Sequence, residues 1–306
     1  MPRRKRPHAV SAERTDHDRR CATSAISSGP MAEDTEAAIS EPLRPGDDEY
    51  HAFVGRPEQF DLMGATQFAL LFALGMRSTD RLLDVGCGSL RAGRLIAAYL
   101  DPGHYVGIEP NGWLVRDAIA SDLGQEFIDK RQARFFSTSE FTLPSGQDSG
   151  FDFVLAQSIA SHTGPQMTLR LLGATARWLA PSGLAAVTFV SSVSRDNTIE
   201  GWTYPDVVRY RKSTIRRWLR ESGLVGRPIP WFHPRQTWWI VARDPSVLPP
   251  RSARRALRGV SLAAPLSPSW RHGERLVHTL AQTVRGVAPR LAPGIRRVAA
   301  RYRSPG

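Results

Sequence analysis

Asp84, Gly86 and Gly88 stand at alternate positions in LLDVGCGSLRAGRL, with Cys87 and Ser89 completing the turn. An acid followed by glycines, at a junction of strand and helix, lets a ligand approach bare backbone N–H groups that a Cβ would block. Glu109 follows Gly88 by 21 residues, just before Pro110. That spacing suits a carboxylate that takes the two hydroxyls of a ribose. Gln157, Ser158, Ser161 and His162 cluster at the end of FDFVLAQSIASHT. A histidine there has an ordinary pKa near ~6.5, so it can accept a hydroxyl proton at neutral pH, or it can serve as a hydrogen-bonding residue that shapes a pocket. The chemistry is that of a nucleoside-bearing ligand beside a group able to move a proton.

These side chains need strand ends to hold them. Leu82, Leu83 and Val85 read as a short buried strand, and the run from Leu90 to Leu100 is apolar at helical spacing. HYVGI ahead of Glu109 reads as a second strand, and Pro110 favours the start of a helix with Trp113, Leu114, Ala118 and Leu123 on its apolar face. ARFFSTSEFTLP predicts a third strand with a loop, and Phe151 to Ala156 a buried fourth. A helix from Gln166 to Leu179 leads to a fifth strand in PSGLAAVTFV. The repeated β, α order implies a parallel, doubly wound α/β sheet with helices on both faces. Ahead of the first strand, Leu62, Phe68, Leu71, Phe72 and Leu74 fit a largely buried helix, with Gln67 a candidate contact of the cleft. Ser213 reads as the N-cap of TIRRWLRES and Gly223 as its stop.

The acid-x-Gly-x-Gly turn and the acid ending the second strand together resemble the class I S-adenosylmethionine-dependent methyltransferases, over roughly residues 55 to 243. A dinucleotide fingerprint would want a small residue where Arg91 stands. The resemblance implies S-adenosyl-L-methionine as cofactor, a mostly parallel seven-stranded sheet and an antiparallel closing hairpin that includes Thr237 to Ala242. It implies cofactor contacts from Asp84, Gly86, Cys87, Gly88, Ser89, Glu109, Pro110, Gln157 and Ser158, with Ser139 or Glu140 serving the adenine. The family often carries a third glycine where this chain has Leu90. There is no Asn-Pro-Pro-aromatic sequence, by which related enzymes grip a planar amide or adenine amine, and no run of acids to hold magnesium. No metal is expected. The reading is methyl transfer to a small-molecule acceptor at oxygen, with His162 the candidate base. Residues 191–212 lack periodicity, and a loop of that length serves as a lid or binding surface. Trp202 and Tyr204 in it, with Ser161, His233 and Arg235, are the candidate acceptor contacts.

The net charge of the 306 residues is +12, yet residues 46–244 carry equal numbers of basic and acidic side chains, while residues 245–306 carry 12 basic and one acidic. A neutral body argues against a nucleic-acid groove in that segment. The expected organisation is a disordered tail over 1–45, a methyltransferase domain over 46–244 and a basic tail over 245–306. In the last, Val277, Leu280, Val284, Val287 and Leu291, then Ile295, Val298 and Tyr302, form narrow helical stripes suited to an anionic membrane surface or a partner helix. Nucleic acid ranks below both as a partner. Only Cys21 and Cys87 are present, and the chain has no apolar membrane span or signal core, which points to the cytoplasm. Two rivals follow from the same features: an RNA methyltransferase aided by the tail, and a non-catalytic protein that binds S-adenosylmethionine and is tethered through it.

Overall fold

The computed structural model describes residues 43–257; residues 1–42 and 258–306, which hold most of the first tail and both amphipathic stripes, lie outside the described residues. A short helix α1 (Tyr50–Phe53) and a 3-10 turn precede α2 (Phe60–Ala73). Then come β1 (Leu82–Val85), α3 (Gly93–Tyr99), β2 (Tyr105–Ile108), α4 (Gly112–Ala118), a π turn, α5 (Gln125–Arg131), β3 (Arg134–Phe136) and β4 (Phe151–Ala156). The second half adds α6 (Pro165–Trp178), β5 (Leu179–Phe189), β6 (Ser191–Ser192), β7 (Tyr210–Arg211), α7 (Lys212–Glu221), β8 (Val225–Ile229), β9 (Thr237–Ala242) and α8 (Arg251–Ala256).

Seven strands form one sheet in the order β3-β2-β1-β4-β5-β9-β8. The first five run parallel, and β9 is antiparallel to both β5 and β8. Alternation along each strand separates two cores. Leu83, Val85, Val154, Ala156, Val187, Trp239 and Val241 face α6 and α7, where they meet Leu171, Leu172, Trp178 and Trp218. Leu82, Phe153, Leu155, Ala186, Trp238 and Ile240 face α2 and α3, where they meet Leu70, Leu71 and Ile96. The doubly wound sheet with its closing hairpin is therefore present, with helices on both faces. Leu248 and Leu257 are buried in the second core, so packing continues past the last strand.

Several local expectations are corrected. The helix after the glycine turn begins at Gly93 rather than Leu90, because Leu90 sits in the left-handed region at φ 55°. On α2 the buried face is Met63, Thr66, Gln67, Leu70 and Leu71, which leaves Phe72 half exposed against Phe68 and Tyr99. Ser213 does not cap α7. Arg211 precedes the helix, and Asp196 takes its N–H at 2.6 Å and the Thr214 hydroxyl at 2.7 Å. Gly223, at φ 71°, follows the end of that helix. The long segment after β5 is closed by the β6–β7 pair and by a bridge between Thr163 and Trp202.

The parallel order reverses between β1 and β4, each of which sends its chain to a different side. A crevice opens beyond the carboxyl ends of two strands that diverge in this way.

Candidate active site

A cleft of about 970 Å³ occupies that crevice. Its floor is the turn after β1. Gly86 and Gly88 adopt φ 69° and 54°. A Cβ on Gly88 would lie 2.7 Å from Val54 Cγ1, so that position is short of space as well as conformationally demanding. At Gly86 the positive φ is the constraint, and the atom nearest to an added Cβ, Ile159 Cδ1 at 2.1 Å, ends a flexible side chain. Leu90 keeps the same positive φ without being glycine and buries its side chain beside Cys87, Val115 and Ala118.

Glu109 ends β2 with both oxygens in use: Oε2 accepts the Gly88 N–H at 3.0 Å and Oε1 the Asn111 N–H at 2.8 Å. Burial raises its pKa, and those two N–H groups oppose the rise. The carboxylate braces the turn, and the remaining lone pairs face the cleft that it lines. Asp84 projects to the α2–α3 side with Leu82. It accepts from the Tyr105 hydroxyl at 2.9 Å. Burial pushes its carboxyl up to about 7, against the Tyr105 hydrogen bond and the Arg91 charge. Arg91 donates to the Val54 carbonyl at 3.0 Å, and burial lowers its pKa to about 10.

At the end of β4 two histidines hold opposite tautomers. His162 Nδ1 lies 2.7 Å from the Asp206 carbonyl, an acceptor only, so Nδ1 carries the proton and Nε2 keeps its lone pair. Burial lowers the pKa of His162, as does the charge of Arg235, while the Asp206 carbonyl raises it; the net direction is down. His233 Nδ1 instead accepts the N–H groups of Arg235 and Gln236 at 3.2 and 3.0 Å, so its proton sits on Nε2. Burial, then the charges of Arg91 and Arg235, lower its pKa to about 3. The Gln157 amide lies 3.3 Å from that Nε2. Two donors cannot face each other, so the amide presents Oε1 there.

Of the residues singled out from the sequence, Asp84, Gly86, Cys87, Gly88, Glu109, Pro110, Ser139, Gln157, Ser158, His162, Trp202, Tyr204, His233 and Arg235 all line this cleft. Three others do not. Glu140 points away and pairs with Arg170 at 3.2 Å, because Phe141, at φ 54°, turns its own ring into the wall instead. Ser161 is fully buried and donates to the Ser158 carbonyl at 3.0 Å. Ser89 is buried beneath the turn. The sequence reading passed over Phe53, Arg56, Met63, Phe141 and Arg209, which also line the cleft. Phe53 and Phe141 are lone aromatics in short aperiodic stretches, a signal that spacing alone does not rank.

The lining fits S-adenosylmethionine on an observation independent of the resemblance. Gln67 is 4% exposed and lines the cleft, yet its Nε2 has no partner; Arg91 Nε is likewise buried and unpaired. Orphan donors of this kind call for an acceptor from a ligand. Gln67 and Arg91 would hold the cofactor carboxylate, Asp84 the ammonium and Glu109 the ribose.

A methyltransferase-domain family model matches residues 83–185, the stretch that contains the turn, Glu109 and β4. An uncharacterized methyltransferase of Mycobacteroides abscessus is 27% identical over 184 residues, covering 52% of this chain and 68% of that protein. Among solved structures, the mitomycin 7-O-methyltransferase is 16% identical with a TM-score of 0.48, covering 64% of this chain and 56% of its own. The magnesium protoporphyrin IX methyltransferase of Synechocystis PCC 6803, with bound S-adenosylhomocysteine, is 14% identical with a TM-score of 0.47, covering 61% of this chain and 87% of its own. This chain thus spans little more than half the length of the mitomycin enzyme. The matched family model covers the turn and strands that build the cleft, so residues 83–185 carry a methyltransferase domain.

Proposed function

We propose that the protein transfers a methyl group from S-adenosylmethionine to the oxygen of a small-molecule acceptor, with His162 taking the hydroxyl proton. The observation that carries this reading is the His162 tautomer: Nδ1 is committed to the Asp206 carbonyl, and the one ring nitrogen free to accept a proton belongs to a side chain that lines the cleft. Its lowered pKa keeps it neutral at physiological pH, as a base must be.

Bound S-adenosylmethionine supplies an electrophilic methyl group on its sulfonium. The chain contributes position and proton removal. The turn from Gly86 to Gly88 and Glu109 set the nucleoside end, while Asp84, Gln67 and Arg91 set the amino-acid end. Gln157, fixed by His233, and Ser158, whose N–H donates to the Thr188 hydroxyl at 2.7 Å and whose hydroxyl accepts from Gln236 at 2.7 Å, form a rigid polar ledge beside β4. Holding an acceptor oxygen in line against such a ledge supplies the orientation that methyl transfer requires. His162 then receives the proton as the oxygen–carbon bond forms.

Calorimetry with S-adenosylhomocysteine tests the cofactor half, with micromolar binding expected for the intact protein and its loss expected in Glu109→Ala. Labelled methyl transfer to paired hydroxyl and amino members of one aromatic series tests the oxygen assignment. Turnover of the amines and not the hydroxyls would remove it.

A further inference from the structure

The cleft carries an excess of positive charge that the cofactor cannot satisfy. Four arginines line it, Arg56, Arg91, Arg209 and Arg235, against two acids, Asp84 and Glu109. Both acids are buried and already accept hydrogen bonds from the protein. S-adenosylmethionine, with a sulfonium, an ammonium and one carboxylate, brings one more net positive charge. A loaded cleft of this composition repels any cationic acceptor and attracts an anion.

The unused charge sits at the mouth. Arg209 and Arg235 are exposed, and neither side chain has an acidic partner among the described residues. Arg56 meets only Glu58, at 3.7 Å, on open surface. Arg235 lies close enough to His162 and His233 for its charge to disfavour protonation of both. Beside these cations the wall is apolar. Trp202, Tyr204 and Val207 are 41%, 39% and 43% exposed, an unusual concentration of uncovered large side chains in one short segment, and all three line the cleft. Phe141 backs Trp202 at 5.8 Å between ring centroids, and Phe53 backs Tyr204 at 5.0 Å.

Aromatic walls beside unpaired guanidinium forks recognise a flat apolar body that bears a planar or tetrahedral anion. We infer that the acceptor is an aromatic compound carrying an anionic group, a carboxylate or a phosphate, which Arg209 and Arg235 hold at the mouth while the ring lies against Trp202 and Tyr204. This rests on the methyl-transfer reading and names its substrate class.

The test loads the intact protein with S-adenosylhomocysteine and titrates 2-naphthoate, 2-naphthyl phosphate and the neutral 2-naphthamide by calorimetry. At least one anion should bind about 10-fold more tightly than the amide, the scale of a charge-assisted pair. Which anion leads identifies the group. In Arg209→Gln/Arg235→Gln protein that still binds S-adenosylhomocysteine, the preference should fall to within about 3-fold, while Arg209→Lys/Arg235→Lys retains part of it. Equal binding of amide and anions, no binding of any of the three, or a preference that survives the glutamine pair overturns the inference. Failure of the wild-type protein to bind S-adenosylhomocysteine overturns the methyl-transfer reading instead.

Discussion

The Tyr204 hydroxyl donates to the Phe53 carbonyl, across 151 residues of sequence, and the two rings lie 5.0 Å apart. Both residues line the cleft, so this contact ties the end of α1 to the loop between β6 and β7 across its opening. Tyr204→Phe keeps the ring and deletes the bond. The expected loss is ~0.5–1.5 kcal/mol, read as roughly a 2- to 10-fold faster release of bound S-adenosylhomocysteine with little change in melting temperature. Unchanged release kinetics would show that the two walls hold without it.

His162→Gln removes the proton acceptor while leaving a polar side chain of similar reach. The expected fall in kcat is about 10²- to 10⁴-fold, with S-adenosylhomocysteine affinity retained. The wild-type acid limb should lie below pH 6.5, because burial and Arg235 depress the pKa and the neutral, active form persists to lower pH. An acid limb above pH 6.5, or one that persists in the variant, would assign the base elsewhere.

Asp84 links cleft chemistry to stability. Its pKa rises from 3.8 to about 7 on folding, so between those values the folded state binds the extra proton, and this carboxyl's contribution to stability declines as pH rises through the window. His162 and His233, both depressed, act in the opposite sense below pH 6.5. The Asp84→Asn comparison isolates the carboxyl: relative to wild type without cofactor, the variant should melt higher at pH 8 than at pH 5. It should also bind S-adenosylhomocysteine more weakly, having lost the charge that would face the ammonium.

Leu90→Gly tests why leucine occupies a left-handed position. Glycine would relieve about 1 kcal/mol of backbone strain. It would also surrender a buried leucine, worth about 2–5 kcal/mol on truncation. The net expectation is destabilisation of about 1–4 kcal/mol in urea unfolding. A more stable variant would mean that the packing with Val115 and Ala118 contributes little.

The sheet was legible because its signals are local. Apolar runs in β1 and β4 and the 21-residue step from Gly88 to Glu109 are properties of single βαβ units. Site direction was harder to read where the chain reverses. Ser158 and Phe141 take φ values of 63° and 54°, and each redirects its neighbours: Ser161 inward, Glu140 outward. No periodicity encodes such reversals in residues other than glycine. The roles of the two histidines were equally hidden, since a carbonyl 44 residues beyond His162 and two N–H groups beside His233 decide which ring nitrogen bears the proton. Gln67 was already a candidate contact of the cleft, whereas Arg91 gained a place in the site only once folding had left its Nε unpaired.

The place of β9 has a consequence for synthesis. It is the last strand made among the described residues, yet it lies inside the sheet between β5 and β8, with Trp238 through Ala242 wholly buried. Until residue 242 has left the ribosome, β5 presents an open apolar edge and β8 has no neighbour, so the nascent chain carries the adhesive surface of an unfinished sheet. Completion of the sheet is thereby postponed until β9 has emerged. Nonsense alleles that stop before Thr237 should yield aggregates rather than shortened enzymes, and slow decoding just upstream of this strand should prolong the vulnerable interval.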